Sequence, residues 1–134
     1  LGGCAMNPYL APPDVAAPPS SATVLLDGLA YRVLHRGSGT THPAPDSVVT
    51  VNYTGWTVDG RKFDSTFNPD GSATPVTFSL NKLIPGWQQA VPMMVTGEKM
   101  RVWVPGKLAY DNRNRPGAPH GMLVFDIELL GISH

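Results

Sequence analysis

The sequence predicts an α+β domain in which about five to six antiparallel strands form a sheet half covered by one short helix. Three observations lead to this prediction. Residues 49–54 and 123–129 alternate between two faces with the period of two that half-buried strands have. Asp59-Gly60 supplies the positive φ angles of a tight hairpin turn. A single segment, beginning at Pro85, has the spacing of a helix.

The strands are interrupted by turn-forming residues. Gly37-Ser38-Gly39 follows the first strand, and the hairpin turn at 58–61 leads from the second strand into residues 63–66. Pro105-Gly106 stops a later strand, and a long loop then runs from Lys107 to Gly121. The predicted strands, in chain order, lie at 29–35, 49–54, 63–66, 75–80, 100–104 and 123–129.

The predicted helix is short and has defined limits. Pro85 suits a first helical position, where its missing N–H costs no hydrogen bond. Trp87, Ala90 and Val91 share one face at spacings of three and four residues. Pro92 limits the helix because proline cannot donate to the preceding turn.

The first 22 residues differ from the rest in composition. Leu1-Gly2-Gly3-Cys4 is similar to the end of a bacterial lipobox, in which the cysteine carries a lipid, although a chance free thiol remains an alternative. The proline-rich stretch that follows is expected to be an extended, semi-rigid spacer. We therefore expect a tether at 1–22, a domain at 23–134, and a lipoprotein in the periplasm or anchored to the outer membrane.

Part of this tether could also dock on the domain. Tyr9 and Leu10 give the segment apolar side chains to bury. Trp103 points away from the predicted core face of its strand, and an exposed tryptophan favours a contact with the tail or with another chain.

Charge and residue spacing exclude several classes of function. Ten basic and ten acidic residues cancel, which argues against nucleic acid or a membrane surface as a partner, apart from a lipid on Cys4. The four histidines have no metal-ligand spacing, so neither a metal nor another cofactor is expected. One cysteine excludes an internal disulfide.

Five blocks of residues, in order, resemble the FKBP-type peptidyl-prolyl isomerases. The resemblance covers about residues 28 to 132, and it implies a twisted antiparallel sheet wrapped around one short helix, with a ligand pocket between them. The blocks are Val51-Asn52-Tyr53-Thr54-Gly55, Asp59-Gly60-Arg61-Lys62-Phe63-Asp64-Ser65, Leu83-Ile84-Pro85-Gly86-Trp87, Ala109-Tyr110 and the run from Leu123 to Leu130.

The resemblance also implies roles for individual residues. Trp87 would be the floor under the proline ring, and the Ile84 N–H and the Tyr110 hydroxyl would donate to ligand carbonyls. Asp64 would stand at the rim, steadied by the Tyr53 hydroxyl. The remaining walls would come from Phe63, Val76, Leu83, Phe125 and Ala118.

The chemistry of such a pocket requires no nucleophile, metal or proton transfer. An X–Pro bond must lose amide resonance to rotate, against a barrier of about 18–20 kcal/mol. The planar amide is the more charge-separated form, so a dry aromatic pocket favours the twisted one. The expected activity is peptidyl-prolyl cis/trans isomerisation of proline-containing polypeptides. A proline-peptide binding or chaperone module with little turnover is the alternative. A third hypothesis is that the proline-rich tail binds in the pocket of a neighbouring copy of the chain.

The sequence departs from the family pattern at two loops. The loop after Tyr110 is about two residues shorter than in the well-known small members, and Ala118 stands where bulky aliphatic residues are usual. We expect this thin wall to weaken binding of macrolides such as tacrolimus or rapamycin. The loop at 67–74 lacks the family's arginine near the aspartate, and Val76 replaces an aromatic residue. Arg113 and Arg115 are expected to be solvated loop charges.

Overall fold

The computed structural model of the chain describes residues 11–133, which form an antiparallel sheet with a short helix packed on one face. The helix, α1, covers Pro85–Ala90. Single turns of 3-10 helix lie at Leu80–Lys82, Val91–Met93 and Gly106–Leu108. The strands are β1 Thr23–Val24, β2 Ala30–His35, β3 Val48–Thr57, β4 Lys62–Ser65, β5 Val76–Ser79, β6 Lys99–Val104 and β7 Leu123–Ser133.

The predicted α+β class is confirmed, but the prediction of five to six strands is too low, since residues 11–133 contain seven. The additional strand is β1, whose two residues pair with β2 through Thr23↔Tyr31 and Val24↔Ala30. Alternation needs about four to eight residues to be recognised, so a strand of this length leaves no pattern in the sequence.

Strand β3 organises the sheet because it pairs along both of its edges. The strand order is β1-β2-β6-β7-β3-β4, with β5 also paired to β3, and every pairing is antiparallel. One edge of β3 lies along β7 over its whole length, from Val48↔Ser133 to Thr57↔Leu123. The other edge is shared between β5 and β4. The chain between β4 and β5 therefore leaves the sheet at this edge.

The hairpin between β3 and β4 forms at the predicted place, but of the Asp59-Gly60 pair only Gly60 has a positive φ angle. The Thr57 N–H donates to the Arg61 carbonyl at 2.9 Å, and the Gly60 N–H donates to the Thr57 carbonyl at 3.0 Å. Gly60 has φ +86°, a conformation that most residues with a side chain avoid. The Asp-Gly pair thus determines where the chain reverses.

Helix α1 also begins and ends close to the predicted positions. Pro85 occupies its first turn, and the segment continues into a 3-10 turn that contains Pro92. Trp87, Ala90 and Val91 are buried, with exposed fractions of 4%, 0% and 0%, and they pack in the main core against the sheet. The helical spacing of these three residues was therefore a reliable sign of the face that packs on the sheet.

The opposite face of the sheet is covered by residues that precede β1. Trp103 is completely buried, and its indole N–H donates to the Asp14 carbonyl at 2.9 Å. Val15 and Ala22 pack on the same cluster. The expected contact between Trp103 and the tail is confirmed.

A buried arginine connects the tail to the sheet. Arg101 donates to both carboxylate oxygens of Asp126, at 2.6 and 2.8 Å, and lies 3.3 Å from a carboxylate oxygen of Asp14. Burial by itself lowers the pKa of Arg101, but the hydrogen bonds and charges of Asp126 and Asp14 more than offset this, and the pKa lies above its ordinary value. Because both members of the Arg101–Asp126 pair are buried, removing either one would leave an uncompensated charge.

The described part of the tail is not the extended spacer that its prolines predicted. The Val15 N–H donates to the Pro12 carbonyl and the Ala22 N–H to the Pro19 carbonyl, so residues 12–22 contain two turns. Packing on Trp103 decides this shape, because proline restricts φ but still allows a turn. Cys4, Tyr9 and Leu10 lie outside the described residues. No helix within residues 11–133 is long and apolar enough to cross a membrane.

Candidate active site

A cavity of about 130 Å³ lies between α1, the sheet and the loop after β6. Seven of the residues expected at the site line this cavity: Tyr53, Asp64, Leu83, Ile84, Trp87, Tyr110 and Phe125. Four further residues line it as well: Phe78, Lys82, Arg113 and Arg115. The fold therefore brings together side chains from β3, β4, β5, α1, β7 and two loops.

Trp87 forms the floor of the cavity, and three aromatic rings stand around it. The ring planes of Tyr53, Phe78 and Phe125 lie at 88°, 90° and 88° to the indole, with centroids 5.1, 6.1 and 5.4 Å away. Edge-to-face packing of this kind is favourable for aromatic quadrupoles. The indole is thus surrounded by three rings that stand nearly perpendicular to it.

Asp64 is held at the rim by Tyr53. The Tyr53 hydroxyl donates to Asp64 Oδ2 at 2.5 Å. Burial, together with the hydrogen bond to Asp64 and its negative charge, raises the pKa of Tyr53 well above its ordinary value of 10.0. Tyr53 therefore remains a hydrogen-bond donor throughout the neutral range.

A bulge in β4 explains how two consecutive residues serve the same site. Gly55 pairs with Asp64 and Trp56 pairs with Lys62, so Phe63 is an extra residue between the two pairs. Phe63 packs on Phe125 with centroids 5.7 Å apart, while Asp64 lines the cavity. In a regular strand, neighbouring side chains point to opposite faces.

Gly55 is required by the close approach of these aromatic rings. A Cβ atom at this position would lie 2.8 Å from the Phe63 ring and 2.9 Å from the Phe125 ring, which is closer than real Cβ contacts. The glycine that ends the Tyr-Thr-Gly block thus gives the aromatic wall room to form.

Two hydrogen-bond donors at the cavity have no acceptor within residues 11–133. They are the Ile84 N–H and the Tyr110 hydroxyl. Ile84 precedes α1, and its carbonyl accepts from the N–H groups of Trp87 and Gln88 at 3.0 and 3.1 Å, which fixes the direction of its peptide unit. Donors that the fold leaves unpaired are available to the carbonyl groups of a ligand.

The loop that carries Tyr110 is held by Asp111. Asp111 Oδ1 accepts from the Gly121 N–H at 2.8 Å and lies 3.6 Å from His120 Nδ1. A Cβ atom at Gly106 would lie 2.0 Å from Asp111 Oδ2, so the carboxylate fits only against a glycine. These contacts join both ends of the loop.

Three expected wall residues lie elsewhere than at this cavity. Val76 was expected to be a wall, but the cavity is lined by Phe78, which shares its face of β5 and has the longer side chain, and Val76 packs on the main core. Phe63 and Ala118 instead line an adjoining hollow of about 240 Å³. Asp64, Tyr110 and Arg115 line both spaces and form the wall between them.

Arg113 and Arg115 are exposed, as expected, but they are not merely solvated charges. Arg113 Nη2 donates to the Leu83 carbonyl at 3.0 Å, and the Arg115 guanidinium carbon lies 5.5 Å from the centroid of the Tyr110 ring. Nothing in the local sequence indicates these contacts, since they depend on how the loop folds back. The loop at 67–74 lacks an arginine near Asp64, whereas the loop after Tyr110 brings both Arg113 and Arg115 to the same cavity.

A family model for the FKBP-type peptidyl-prolyl cis-trans isomerase matches residues 39–130. The chain belongs to this family. The match covers strands β3 to β6, the helix, most of β7 and every residue that lines the cavity. The resemblance inferred from the sequence blocks is thereby confirmed.

Relatives of this FKBP-type chain include bacterial and fungal proteins. It is 43% identical over 106 residues to the FKBP-type peptidyl-prolyl cis-trans isomerase FkpA of Aeromonas hydrophila, covering 78% of this chain and 38% of that protein. It is 39% identical over 111 residues to the outer membrane protein MIP of Legionella longbeachae, covering 81% and 46%. It is 41% identical over 102 residues to FK506-binding protein 1 of Kluyveromyces lactis, covering 75% and 89%.

The chain spans less than half the length of the two bacterial relatives. Among solved structures, it is similar to a peptidyl-prolyl cis-trans isomerase from Pseudomonas syringae, with a TM-score of 0.74 and 33% identity. That match covers 87% of this chain and 84% of the other.

Proposed function

We propose that this chain is a peptidyl-prolyl cis/trans isomerase that accelerates rotation about X–Pro bonds in polypeptides. One observation carries the proposal. An aromatic cavity with Trp87 as its floor has two donors at its edge, the Ile84 N–H and the Tyr110 hydroxyl, that no acceptor in the described part of the chain engages, and both lie beside the Asp64 carboxylate. The names of its family and of its relatives support the same activity.

In the proposed mechanism the proline ring rests on the Trp87 indole, within the walls of Tyr53, Phe78 and Phe125. The Ile84 N–H and the Tyr110 hydroxyl hold carbonyl groups of the peptide, so that one side of the X–Pro bond is fixed while the other rotates. Rotation removes charge separation from the amide. A site that excludes water therefore disfavours the planar form, which water stabilises most.

Asp64 adds an electrostatic contribution at the rotating bond. The carboxylate lies at the cavity rim, oriented by Tyr53, on the wall shared with the adjoining hollow. It acts on the twisted amide as a fixed charge and takes no proton from it. Each reduction of the barrier by about 1.4 kcal/mol gives about a tenfold rate, so a few such contributions turn tens of seconds into milliseconds.

Exchange spectroscopy by NMR on short Xaa-Pro peptides, or a protease-coupled assay, tests the proposal. We expect catalysed exchange that Asp64→Ala and Trp87→Phe each reduce. Asp70→Ala is the matched control for the first variant, since Asp70 is an exposed carboxylate in the loop before β5 and does not line the cavity. An exchange rate equal to the uncatalysed rate at high protein concentration would reject the proposal.

A binding or chaperone module with little turnover is the second candidate. Ala118 lines the adjoining hollow together with Asp64, and its small side chain provides little wall there, which favours binding over a closed catalytic site. Titration with a proline peptide, run beside the exchange assay, separates the two. Affinity that is retained without acceleration would support the module.

The names of two relatives support proposals about the ligands and the location of this protein. The Kluyveromyces lactis relative is named for binding FK506, and we propose that this cavity takes tacrolimus or rapamycin weakly, because Ala118 provides little wall. The Legionella relative is named as an outer membrane protein, which supports export and a lipid on Cys4 in a tether at 1–22. Mass spectrometry of the native membrane fraction tests this, and an unmodified Cys4 there would contradict it.

A further inference from the structure

Positive charge is concentrated around the cavity, although the formal net charge of the whole chain is zero. The chain has ten basic and ten acidic residues. The cavity lining, in contrast, contains the three cations Lys82, Arg113 and Arg115 and the single carboxylate of Asp64. Within residues 11–133, none of the three cations forms an ion pair with a carboxylate.

The nearby carboxylates already have partners of their own. Asp64 accepts from Tyr53, and Asp111 accepts from the Gly121 N–H and faces His120. The guanidinium of Arg115 lies over the Tyr110 ring, and Arg113 donates one of its N–H groups to the Leu83 carbonyl. These contacts hold the two arginines at the cavity and leave their positive charge unneutralised.

Arg115 lies close to the expected position of residue X of a bound X–Pro peptide. It belongs, with Asp64 and Tyr110, to the wall shared by the aromatic cavity and the adjoining hollow. If the proline ring occupies the cavity, the rotating bond lies at this wall. The side chain of the preceding residue then points towards the hollow lined by Arg115 and Ala118.

We infer that the chain is selective for X–Pro bonds in which X is acidic, with Arg115 as the main determinant and Arg113 and Lys82 as support. This selectivity rests on the proposed isomerase function. A carboxylate of Glu or Asp at that position would pair with the guanidinium and face a net positive rim. The small side chain of Ala118 leaves room in the hollow for the acidic side chain, including the longer one of Glu.

The experiment compares three peptides that differ in one residue. Acetyl-Ala-Xaa-Pro-Phe-amide with Xaa as Glu, Gln or Lys is followed by NMR exchange at low ionic strength. We expect kcat/KM for the Glu peptide to exceed that for the Gln peptide by about two- to fivefold, the range of an exposed ion pair, and the Lys peptide to be slowest. The ratio should approach one in about 0.5 M salt, where exposed charges are screened.

Variants assign the effect to particular residues. Arg115→Gln should bring the Glu-to-Gln ratio close to one, and Arg113→Gln should lower it less. Arg36→Gln is the matched control, because Arg36 is an exposed arginine just after β2 and lies outside the cavity lining. A ratio that stays high in Arg115→Gln, with a melting curve like that of the parent, would overturn the assignment to Arg115.

Different results would contradict the charge selectivity and the isomerase function. A ratio of one or less in the parent protein, together with clear catalysis of the Gln peptide, overturns the charge selectivity and leaves the isomerase function in place. Exchange of all three peptides at the uncatalysed rate rejects the isomerase function itself.

Discussion

The Tyr53 hydroxyl lies 2.5 Å from Asp64 Oδ2, and this short hydrogen bond joins β3 to the rim of the cavity. It is the contact that orients the carboxylate proposed to act on the rotating amide. Hydrogen bonds to a charged acceptor are shorter and stronger than those between neutral groups.

Replacing Tyr53 by Phe should lower kcat/KM for a proline peptide by about tenfold, because a hydrogen bond to a charged group contributes about 1.5–3 kcal/mol and part of it is recovered by water. The aromatic wall is retained, so the fold should not change. Tyr31→Phe is the matched control, since Tyr31 lies on β2 and outside the cavity lining. Equal activity in Tyr53→Phe and the control would show that the contact does not position Asp64.

The same tyrosine makes stability fall at alkaline pH. The pKa of Tyr53 is raised in the folded protein above its ordinary value of 10.0, because of burial and the Asp64 carboxylate. Above about pH 10 the unfolded chain therefore binds fewer protons at this residue than the folded chain, and stability decreases. The contribution is fully present below that pH.

Urea unfolding between pH 8 and 11 measures this dependence. We expect the free energy of unfolding of the parent protein to decline more steeply above about pH 10 than that of Tyr53→Phe. Identical slopes in the two proteins would contradict the raised pKa. The kcat/KM value should show no loss attributable to Tyr53 between pH 7 and 9.

Trp87 should be needed for both stability and activity. Trp87→Ala removes the floor of the cavity and a buried core residue, and should lower the free energy of unfolding by about 3–5 kcal/mol while abolishing catalysis. Met94→Ala is the comparison, because Met94 is completely buried in the same core but does not line the cavity. It should cost about 2–5 kcal/mol.

Activity measured well below the melting temperature separates the two variants. Met94→Ala should retain the kcat/KM of the parent protein, and Trp87→Ala should not. Loss of activity in proportion to destabilisation in both would mean that Trp87 acts through the fold alone.

Deleting residues 1–22 should destabilise the protein without impairing catalysis. The deletion exposes Trp103 and removes the acceptor of its indole N–H, and uncovering one large apolar side chain costs about 1.5–3 kcal/mol. Chemical unfolding, with a red shift of tryptophan emission, measures the effect. The cavity lies on the other face of the sheet, so kcat/KM should be unchanged.

Asp14→Ala is the control for the deletion. It removes the carboxylate near Arg101, which keeps its two hydrogen bonds to Asp126, and it keeps the backbone carbonyl that Trp103 contacts, so it should destabilise the protein less than the deletion does. A deletion variant as stable as the parent protein would instead support residue 23 as the true start of the folded domain.

Local signals in the sequence were sufficient where one residue controls its own backbone. Gly60 permits the positive φ angle that the turn needs and Pro85 favours a first helical turn, and both predictions are confirmed. The burial of Trp87 and Val91 follows from helical spacing alone. Such features depend on neighbours within about four residues, so the chain specifies them before it folds.

The cavity walls were predicted less completely, for a physical reason. Whether Val76 or Phe78 reaches the cavity depends on the length of each side chain and on the pairing of β5 with β3. Whether Arg113 and Arg115 reach it depends on the path of a loop held by Asp111. Neither has a periodic pattern, because contacts across long sequence separations leave no regular spacing.

By itself, the sequence determined the α+β class, the hairpin, the helix and the joint presence of Tyr53, Asp64, Ile84, Trp87 and Tyr110. These depend on backbone preferences and on blocks of residues that resemble a family. The tertiary structure alone decided that Tyr53 and Asp64 meet at 2.5 Å, that Trp103 is covered by the tail, and that two loop arginines face the cavity. Each of these contacts joins separate segments, so it exists only once strand pairing and core packing have positioned both partners.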